Sequence, residues 1–226
     1  MNKYYNEPYL REIATRINAA FQEEGISYIQ TESNIFHPQG GGQKGDHGIL
    51  ILDDHELSIC DTRKDKQSTV GGVLLVLKEP FSGLEKLPGK EAICKLDWDF
   101  RYRQMRLHSS AHLHHCMLEK VHGGIISHPK TSDIQDTFAF NRYDDTKVTP
   151  QLAEAASIEF KKAVETGART IRYPDPEKVG FWWWECLGYK IPCGGTHVAD
   201  IKEIGNMDFT FSTKKGNTTI NIKIVT

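Results

Sequence analysis

The sequence predicts an α+β protein in which a β-barrel-like N-terminal domain precedes a two-layer α/β domain with a mostly antiparallel sheet. The first observation is that the opening 95 residues hold short apolar segments separated by glycine, proline and charged turns, which is typical of strands. The second is that helical periodicity starts only after residue 96 and alternates with further strand-like segments. Helices that follow a run of strands in this way are typical of the α+β class.

The N-terminal strands are predicted from short runs rich in β-branched and aromatic residues. Segment 9–21 fits neither the helical nor the strand period cleanly, and we interpret it as a strand. The other five segments are 26–30, 48–52, 57–60, 73–77 and 92–96. Because the periodicity changes after the last of these, we place a domain boundary there, with a β domain at 1–95 and a second domain at 96–226.

The second domain is predicted to contain two helices and several strands. The first helix covers 99–122, with acidic residues at its start and a pair of glycines as its stop. The second helix has Thr149 as its N-cap and Pro150 in its first turn, and it ends at Gly167. Strands are predicted at 125–127, 134–140, 169–173, 181–187, 207–213 and 218–225.

Length and composition are those of an ordinary globular protein, with 226 residues of which 38% are hydrophobic and 26% charged. No apolar run approaches the roughly 18 to 20 residues that span a bilayer, and the N-terminus lacks the apolar core of a signal peptide. We therefore expect a cytoplasmic protein with reduced cysteines and no membrane partner. The formal net charge of −2 means that a nucleic-acid partner must be held by local basic patches.

The first predicted helix carries a histidine pair with metal-binding spacing. Residues four apart project from the same helical face, so His108 and His112 can reach one cation. His115 and Cys116 share this stripe, but His108 and Cys116 lie about 12 Å apart along the axis, too far for one metal. The spacing leaves two alternatives, His108 with His112, or His112 with either His115 or Cys116.

A cysteine and a histidine with similar spacing follow in a glycine turn, at Cys193 and His197. Zinc favours nitrogen and sulfur ligands in a tetrahedral set, so the helix and the turn together predict one zinc site that joins distant segments. The same histidine spacing occurs in zincin proteases, which need a glutamate after the first histidine as general base. Ser109 occupies that position here, which argues against a protease.

A third motif lies in the β domain, where three consecutive glycines, Gly40, Gly41 and Gly42, precede Gln43. Glycines allow another part of the structure to approach the backbone closely. Their N–H groups can also bind an anion or an adjoining domain. The motif is not a P-loop, because the sequence Gly-x-x-x-x-Gly-Lys-Ser/Thr is absent.

The most aromatic stretch of the chain is 181–184, which contains three consecutive tryptophans. Exposed rings can stack on nucleic-acid bases. Core packing is the favoured interpretation, because alternate rings of a strand face opposite sides and at least one of them should be buried.

Three motifs taken together resemble a known family. They are His108-x-x-x-His112, Cys193-Gly-Gly-Thr-His-Val and Phe36-His-Pro-Gln-Gly-Gly-Gly-Gln. Their combination and order resemble the freestanding alanyl-tRNA editing proteins called AlaX and the editing region of alanyl-tRNA synthetase. The resemblance covers essentially the whole chain, and the presence of the glycine motif makes it look like the medium-length form of the family.

The resemblance implies a zinc-dependent deacylase that hydrolyses the ester of mischarged seryl-tRNA(Ala), with glycyl-tRNA(Ala) as a further candidate substrate. A small pocket that selects alanine for attachment to tRNA cannot strongly reject serine, which merely adds a hydroxyl. A second site must therefore remove serine that has been attached in error. The implied partner is mischarged tRNA(Ala), and neither DNA nor a membrane is expected.

The resemblance also implies roles for individual residues. The zinc ligands by the family pattern are His108, His112, Cys193 and His197. Four protein ligands normally mean a closed, structural site, so hydrolysis requires an open position, a displaced ligand or a zinc-associated water. The backbones of Gly194 and Gly195 are candidates for polarising the ester. Expected substrate-binding residues are Gly40, Gly41, Gly42, Gln43, Thr196 and His128, the last at a position where the synthetase editing region is expected to have glutamine.

Two alternatives stay open at the level of sequence. The first is a non-catalytic, zinc-stapled module that binds tRNA or other RNA, in which all four ligands stay closed on the metal. The second is a deacylase for a different mischarged tRNA. Editing domains of that kind lack the combination of Cys-Gly-Gly-Thr-His and triple-glycine motifs that this chain contains.

Overall fold

A computed structural model of the chain describes residues 2–53, 55–68 and 72–225. By compactness the chain divides into two units, Met1–Gly40 with Lys44–Tyr102 and Gly41–Gln43 with Arg103–Thr226. A tripeptide of the glycine motif therefore belongs to the second unit, although its neighbours on both sides belong to the first. The main division falls inside a helix, a few residues past the predicted boundary between 95 and 96.

The first unit contains a closed barrel of six antiparallel strands, which confirms the barrel prediction. Its order is β1-β2-β5-β4-β3-β6, and pairing of β6 with β1 closes it. Segment 9–21 is indeed largely a strand. The strands are β1 (Glu12–Glu23), β2 (Ile26–Thr31), β3 (Gly48–Leu52), β4 (His55–Lys64), β5 (Val73–Leu77) and β6 (Glu91–Leu96).

The barrel interior is filled by side chains at alternate strand positions, as the period of a strand requires. Ile29, Leu50 and Cys94 are fully buried there. The first unit also buries an ion pair, in which Arg101 contacts both carboxylate oxygens of Asp46 and neither side chain is exposed.

Two α-helices lie in the described part of the chain, α1 (Trp98–His122) and α2 (Pro150–Thr166). The predicted cap of α2 is confirmed, because the Thr149 side chain accepts a hydrogen bond from the Leu152 N–H and Gly167 ends the helix. In the second unit α2 packs against a sheet strand through Phe160, whose ring lies 5.0 Å from that of Phe209. Neither helix is long and apolar enough to cross a membrane.

The second unit has two antiparallel sheets. A four-stranded sheet has the order β12-β13-β8-β7, and a three-stranded sheet has the order β11-β10-β9. Most strands match predicted segments, but β11 was not predicted. The strands are β7 (Thr131–Ile134), β8 (Phe138–Tyr143), β9 (Ile171–Pro174), β10 (Trp182–Cys186), β11 (Tyr189–Pro192), β12 (Met207–Lys214) and β13 (Asn217–Ile224).

Two predicted strands of this region are wrong. Segment 125–127 is irregular, because carboxylates take up its N–H groups: Glu119 accepts from Ile126, and Asp145 accepts from Ser127. Segment 134–140 is not one strand, because it contains the last residue of β7, the hairpin turn at 135–137 and the first residues of β8. In this turn the Gln135 N–H donates to the Phe138 carbonyl. Hydrophobic periodicity does not reveal such a hairpin turn.

The aromatic stretch on β10 is divided between the interior and the surface. Trp184 is fully buried, whereas Trp182 and Trp183 are half-buried. The favoured interpretation of core packing is therefore confirmed for Trp184.

Candidate metal centre

Helix α1 supplies two imidazoles from consecutive turns of one face. The rings of His108 and His112 lie 4.8 Å apart between centroids. His108 is buried and His112 half-buried. One helical turn therefore brings both rings to the same point in the second unit.

A hairpin delivers the other two candidate ligands. Strands β10 and β11 are joined by Leu187 and Gly188, both with positive φ, which is the two-residue turn that matches strand twist. Immediately after β11 the Cys193 N–H donates to the Trp182 carbonyl at 2.8 Å, so the start of the turn is held to β10. The chain then reverses within four residues to present His197 beside Cys193.

One potential ligand atom from each of His108, His112, Cys193 and His197 lies within 4.8 Å of the others. Cys193 Sγ is 3.4 Å from His108 Nε2 and 3.2 Å from His197 Nε2. A tetrahedral zinc with bonds of about 2.0–2.3 Å separates its ligands by about 3.3–3.6 Å, so these distances fit the ion. Among the described residues, His112 Nε2 is buried without a hydrogen-bond partner. Buried polar atoms normally have a partner, and a metal ion would supply one here.

The alternative partners within α1 do not join this group. His115 Nδ1 lies 3.1 Å from the Tyr143 hydroxyl, and Cys116 is buried in the core with 1% exposure. Of the two alternatives that helical spacing left open, the geometry therefore selects His108 with His112.

Gln43 holds the ring of His108 from the side opposite the ligand group. Its Oε1 lies 3.0 Å from His108 Nδ1 and accepts a hydrogen bond from the Thr196 N–H at 2.9 Å. Its Nε2 donates to Thr196 Oγ1 at 2.8 Å. Gln43 is 1% exposed and Thr196 is fully buried, so the whole arrangement lies inside the second unit.

Ser109 makes the equivalent contact to His197. The Ser109 hydroxyl lies 3.2 Å from His197 Nδ1 and accepts a hydrogen bond from the Val198 N–H at 3.2 Å. Metal-ligating histidines commonly bond through their second ring nitrogen in this way, which fixes ring orientation and tautomer. In the sequence, Ser109 served only to argue against a zincin protease, because it occupies the position of the catalytic glutamate. Its contact with His197 was not predicted.

Two glycines allow the close approaches on which this packing depends. A Cβ at Gly195 would overlap the His108 imidazole and lie 2.8 Å from Gln43 Oε1. A Cβ at Gly42 would lie 2.7 Å from the Ser132 carbonyl oxygen, and Gly42 also has a φ of +83°. The Gly42 carbonyl accepts from the Ile134 N–H at 2.8 Å, which ties the glycine motif to β7.

Burial shifts the pKa of two candidate ligands, Cys193 and His112. It raises the pKa of the Cys193 thiol to about 11, an effect that the Gly195 N–H and the Arg172 guanidinium oppose. It lowers the pKa of His112 well below its ordinary value, with smaller contributions from neighbouring histidines. His112 is therefore in the neutral form that binds metals, and a metal at Cys193 would displace the thiol proton.

The residues expected to bind substrate are in different environments. His128 is exposed, its ring stacks on His115 at 5.2 Å, and it is one of the histidines whose charge adds to the effect of burial on His112. Gly194 is exposed, whereas the Gly195 N–H donates to Cys193 Sγ. Gly40 belongs to the first unit, and Gly41, Gly42 and Gln43 belong to the second.

Comparison with known proteins gives a relative that aligns along almost the whole chain. The alanyl-tRNA editing protein AlaX-M of Pyrococcus horikoshii is 33% identical over 221 residues, which cover 90% of this chain and 87% of the relative. The chain belongs to the family of alanyl-tRNA editing proteins. The resemblance inferred from the three motifs is therefore confirmed.

Longer relatives share the same region. The alanyl-tRNA editing protein AlaX-L of Pyrococcus horikoshii is 28% identical over 226 residues, and the alignment spans 52% of its length. An alanine–tRNA ligase of Ignicoccus hospitalis is 25% identical over 245 residues, which are 25% of that enzyme. No protein-family model matches the chain.

Proposed function

We propose that this protein is a zinc-dependent hydrolase that deacylates mischarged seryl-tRNA(Ala) in trans, with glycyl-tRNA(Ala) as a further candidate substrate. The observation that carries the proposal is the group of four ligand atoms within 4.8 Å, in a chain that belongs to the alanyl-tRNA editing proteins. In this proposal residues 1–95 form the β domain, whose sequence includes the glycine motif, and residues 96–226 form the editing domain.

His108, His112, Cys193 and His197 would hold the zinc. A zinc bound by these residues would supply Lewis-acid polarisation of an ester carbonyl or of a water molecule. The proposed contribution of the protein is to bind and orient the aminoacyl end of the tRNA beside this group.

His128 is the proposed contact for the amino acid. Its imidazole can donate and accept a hydrogen bond, which suits a seryl hydroxyl that does both. A site that hydrogen-bonds the hydroxyl leaves its own polar groups unpaired when alanine enters, and this is the basis of the expected selectivity.

The accessible main chain beside Cys193 is the proposed contact for the ester. Gly194 is exposed, whereas the Gly195 N–H is occupied by Cys193 Sγ, so Gly194 is the better candidate for polarising the carbonyl oxygen. The Thr196 hydroxyl is buried against Gln43, which makes it a weaker candidate for direct contact.

The convergence of four protein ligands also supports an alternative, a non-catalytic RNA-binding module in which the zinc is closed and structural. The two functions differ in turnover. An enzyme releases the amino acid from many equivalents of substrate, whereas a binding module does not.

The test is a deacylation assay with Ser-, Gly- and Ala-tRNA(Ala), run on the wild-type protein and on His112→Ala, with zinc content measured for each. We expect hydrolysis of Ser-tRNA(Ala) with Ala-tRNA(Ala) spared, and loss of both zinc and turnover in the variant. Deacylation at the normal rate by a zinc-free variant would overturn the role of the metal. Absence of turnover with all three substrates would favour the binding module.

A further inference from the structure

We infer that Gln43 is a positioning residue for the metal centre, which selects the tautomer of His108 that leaves Nε2 free for zinc. The inference rests on the proposed zinc site but not on the proposed deacylation. It differs from the expectation that Gln43 contacts the substrate.

The orientation of the Gln43 amide follows from its partners. A backbone N–H can only donate, so the atom that faces the Thr196 N–H at 2.9 Å must be the amide oxygen. The other end of the amide then donates to Thr196 Oγ1 at 2.8 Å. Both ends of the side chain are therefore held by one residue of the glycine turn.

The tautomer of His108 follows from that orientation. The Gln43 oxygen can only accept, so His108 Nδ1 at 3.0 Å must carry a proton and donate it. A neutral imidazole has one proton, so Nε2 carries the lone pair. This Nε2 is the atom that lies 3.4 Å from Cys193 Sγ, on the side of the ligand group.

The surroundings leave the Gln43 oxygen little freedom to move. Gln43 is 1% exposed and His108 is 3% exposed, so water is a poor substitute for the amide oxygen. A Cβ at Gly195 would lie 2.8 Å from this oxygen, which shows how closely the turn packs on it. Loss of the oxygen would leave the Thr196 N–H and His108 Nδ1 without this acceptor, and the imidazole could take the tautomer that blocks metal binding.

The experiment measures zinc affinity by chelator competition, without tRNA, for wild type, Gln43→Met, Gln43→Glu and Gln39→Met. Methionine keeps the side-chain length and removes the acceptor, so we expect affinity to fall by about 10–100-fold, as for other losses of an orienting partner. Glutamate keeps an acceptor for both His108 and Thr196 but loses the donor to Thr196 Oγ1, so affinity should stay near wild type. Gln39 lies in the same motif but is exposed, and its replacement should change nothing.

Absorption spectra of the cobalt(II)-substituted proteins provide a second readout. We expect Gln43→Met to change the cobalt spectrum and Gln43→Glu to restore it, whereas a role in packing alone would make the glutamate variant as weak as the methionine variant. Wild-type affinity and spectrum in Gln43→Met would overturn the inference. A wild-type protein that binds no zinc would overturn the metal site as well, and one that binds zinc without deacylating any tRNA would overturn only the proposed activity.

Discussion

Gly195 shows how a missing side chain shapes the candidate site. Its Cα faces the His108 imidazole so closely that any Cβ must displace the ring or the turn. The structure records no positive φ for this glycine, so the requirement is close approach rather than unusual backbone conformation. A single methyl group there should therefore affect the metal centre, although no candidate ligand is itself replaced.

We predict that Gly195→Ala lowers zinc affinity by about tenfold or more, because it disturbs a ligand and the amide oxygen that orients it. Competition with a chromophoric chelator measures the effect. The matched control is Gly124→Ala, where the new methyl would meet only His122 at 3.8 Å. Equal affinity of Gly195→Ala and wild type would show that the site tolerates displacement of His108.

Helix α1 illustrates how one element serves three purposes along its length. Its first turns hold Arg101 in the first unit, its middle presents His108 and His112, and His114 packs towards α2. His114 Nε2 lies 3.0 Å from Ser157 Oγ and 3.3 Å from the Ala153 carbonyl, both on α2. The helix therefore carries candidate metal ligands and structural contacts on different faces.

The buried end of α1 leads to a prediction about stability. Arg101 donates to the Ile35 carbonyl and to Asp46, and both charged groups are fully buried. Arg101→Met should destabilise the protein by about 3–5 kcal/mol, because it leaves a buried carboxylate without its cation. Urea unfolding, monitored by circular dichroism, measures this decrease in the free energy of unfolding.

The control for this prediction is a surface pair on the same barrel. Arg16 and Glu91 form a salt bridge at 2.7 Å, but their side chains are 54% and 70% exposed. Arg16→Met should therefore change the free energy of unfolding much less than Arg101→Met does, because solvent screens this pair. Similar losses in the two variants would mean that burial does not determine the importance of the Arg101 pair.

A second prediction at this scale concerns acid. Burial lowers the pKa of His114 to about 4, from an ordinary value of 6.5. Between these values the unfolded chain takes up a proton that the folded chain does not, so stability falls as pH decreases from 6.5 to 4, by up to about 3 kcal/mol. Above pH 6.5 this contribution is fully present.

We expect His114→Gln to flatten the dependence of unfolding free energy on pH in this window, measured on metal-free protein so that ligand protonation does not interfere. His122→Gln is the control, because His122 is exposed at the end of α1. An unchanged slope in His114→Gln would assign the acid sensitivity to other groups.

At the scale of the whole molecule, the candidate centre joins α1 to a turn more than 80 residues later. A metal held by both segments stabilises the folded state by mass action, by about 2.7 kcal/mol when free zinc is 100 times its dissociation constant. We predict that a strong chelator lowers the melting temperature of the wild-type protein and that zinc restores it. Cys193→Ala should show a much smaller response, and an equal response would place the stabilising ion elsewhere.

Much of the fold was predictable because it depends on local patterns. The barrel strands, both helices and the Thr149 cap follow from periodicity and from residues that act on their immediate neighbours. The strand predicted at 125–127 was wrong because Glu119 and Asp145 compete for its N–H groups through side chains. Periodicity carries no information about such contacts.

The sequence by itself determined the ligand types and their family. Helical geometry sets His108 beside His112, and a short turn sets Cys193 beside His197, so each pair is defined by its own segment. Only the tertiary structure brought the two pairs together, paired His115 with Tyr143 instead, and set Gln43 and Ser109 against the rings of His108 and His197. The physical reason is that these contacts depend on how distant segments pack, whereas spacing along the chain specifies only what lies within a few residues.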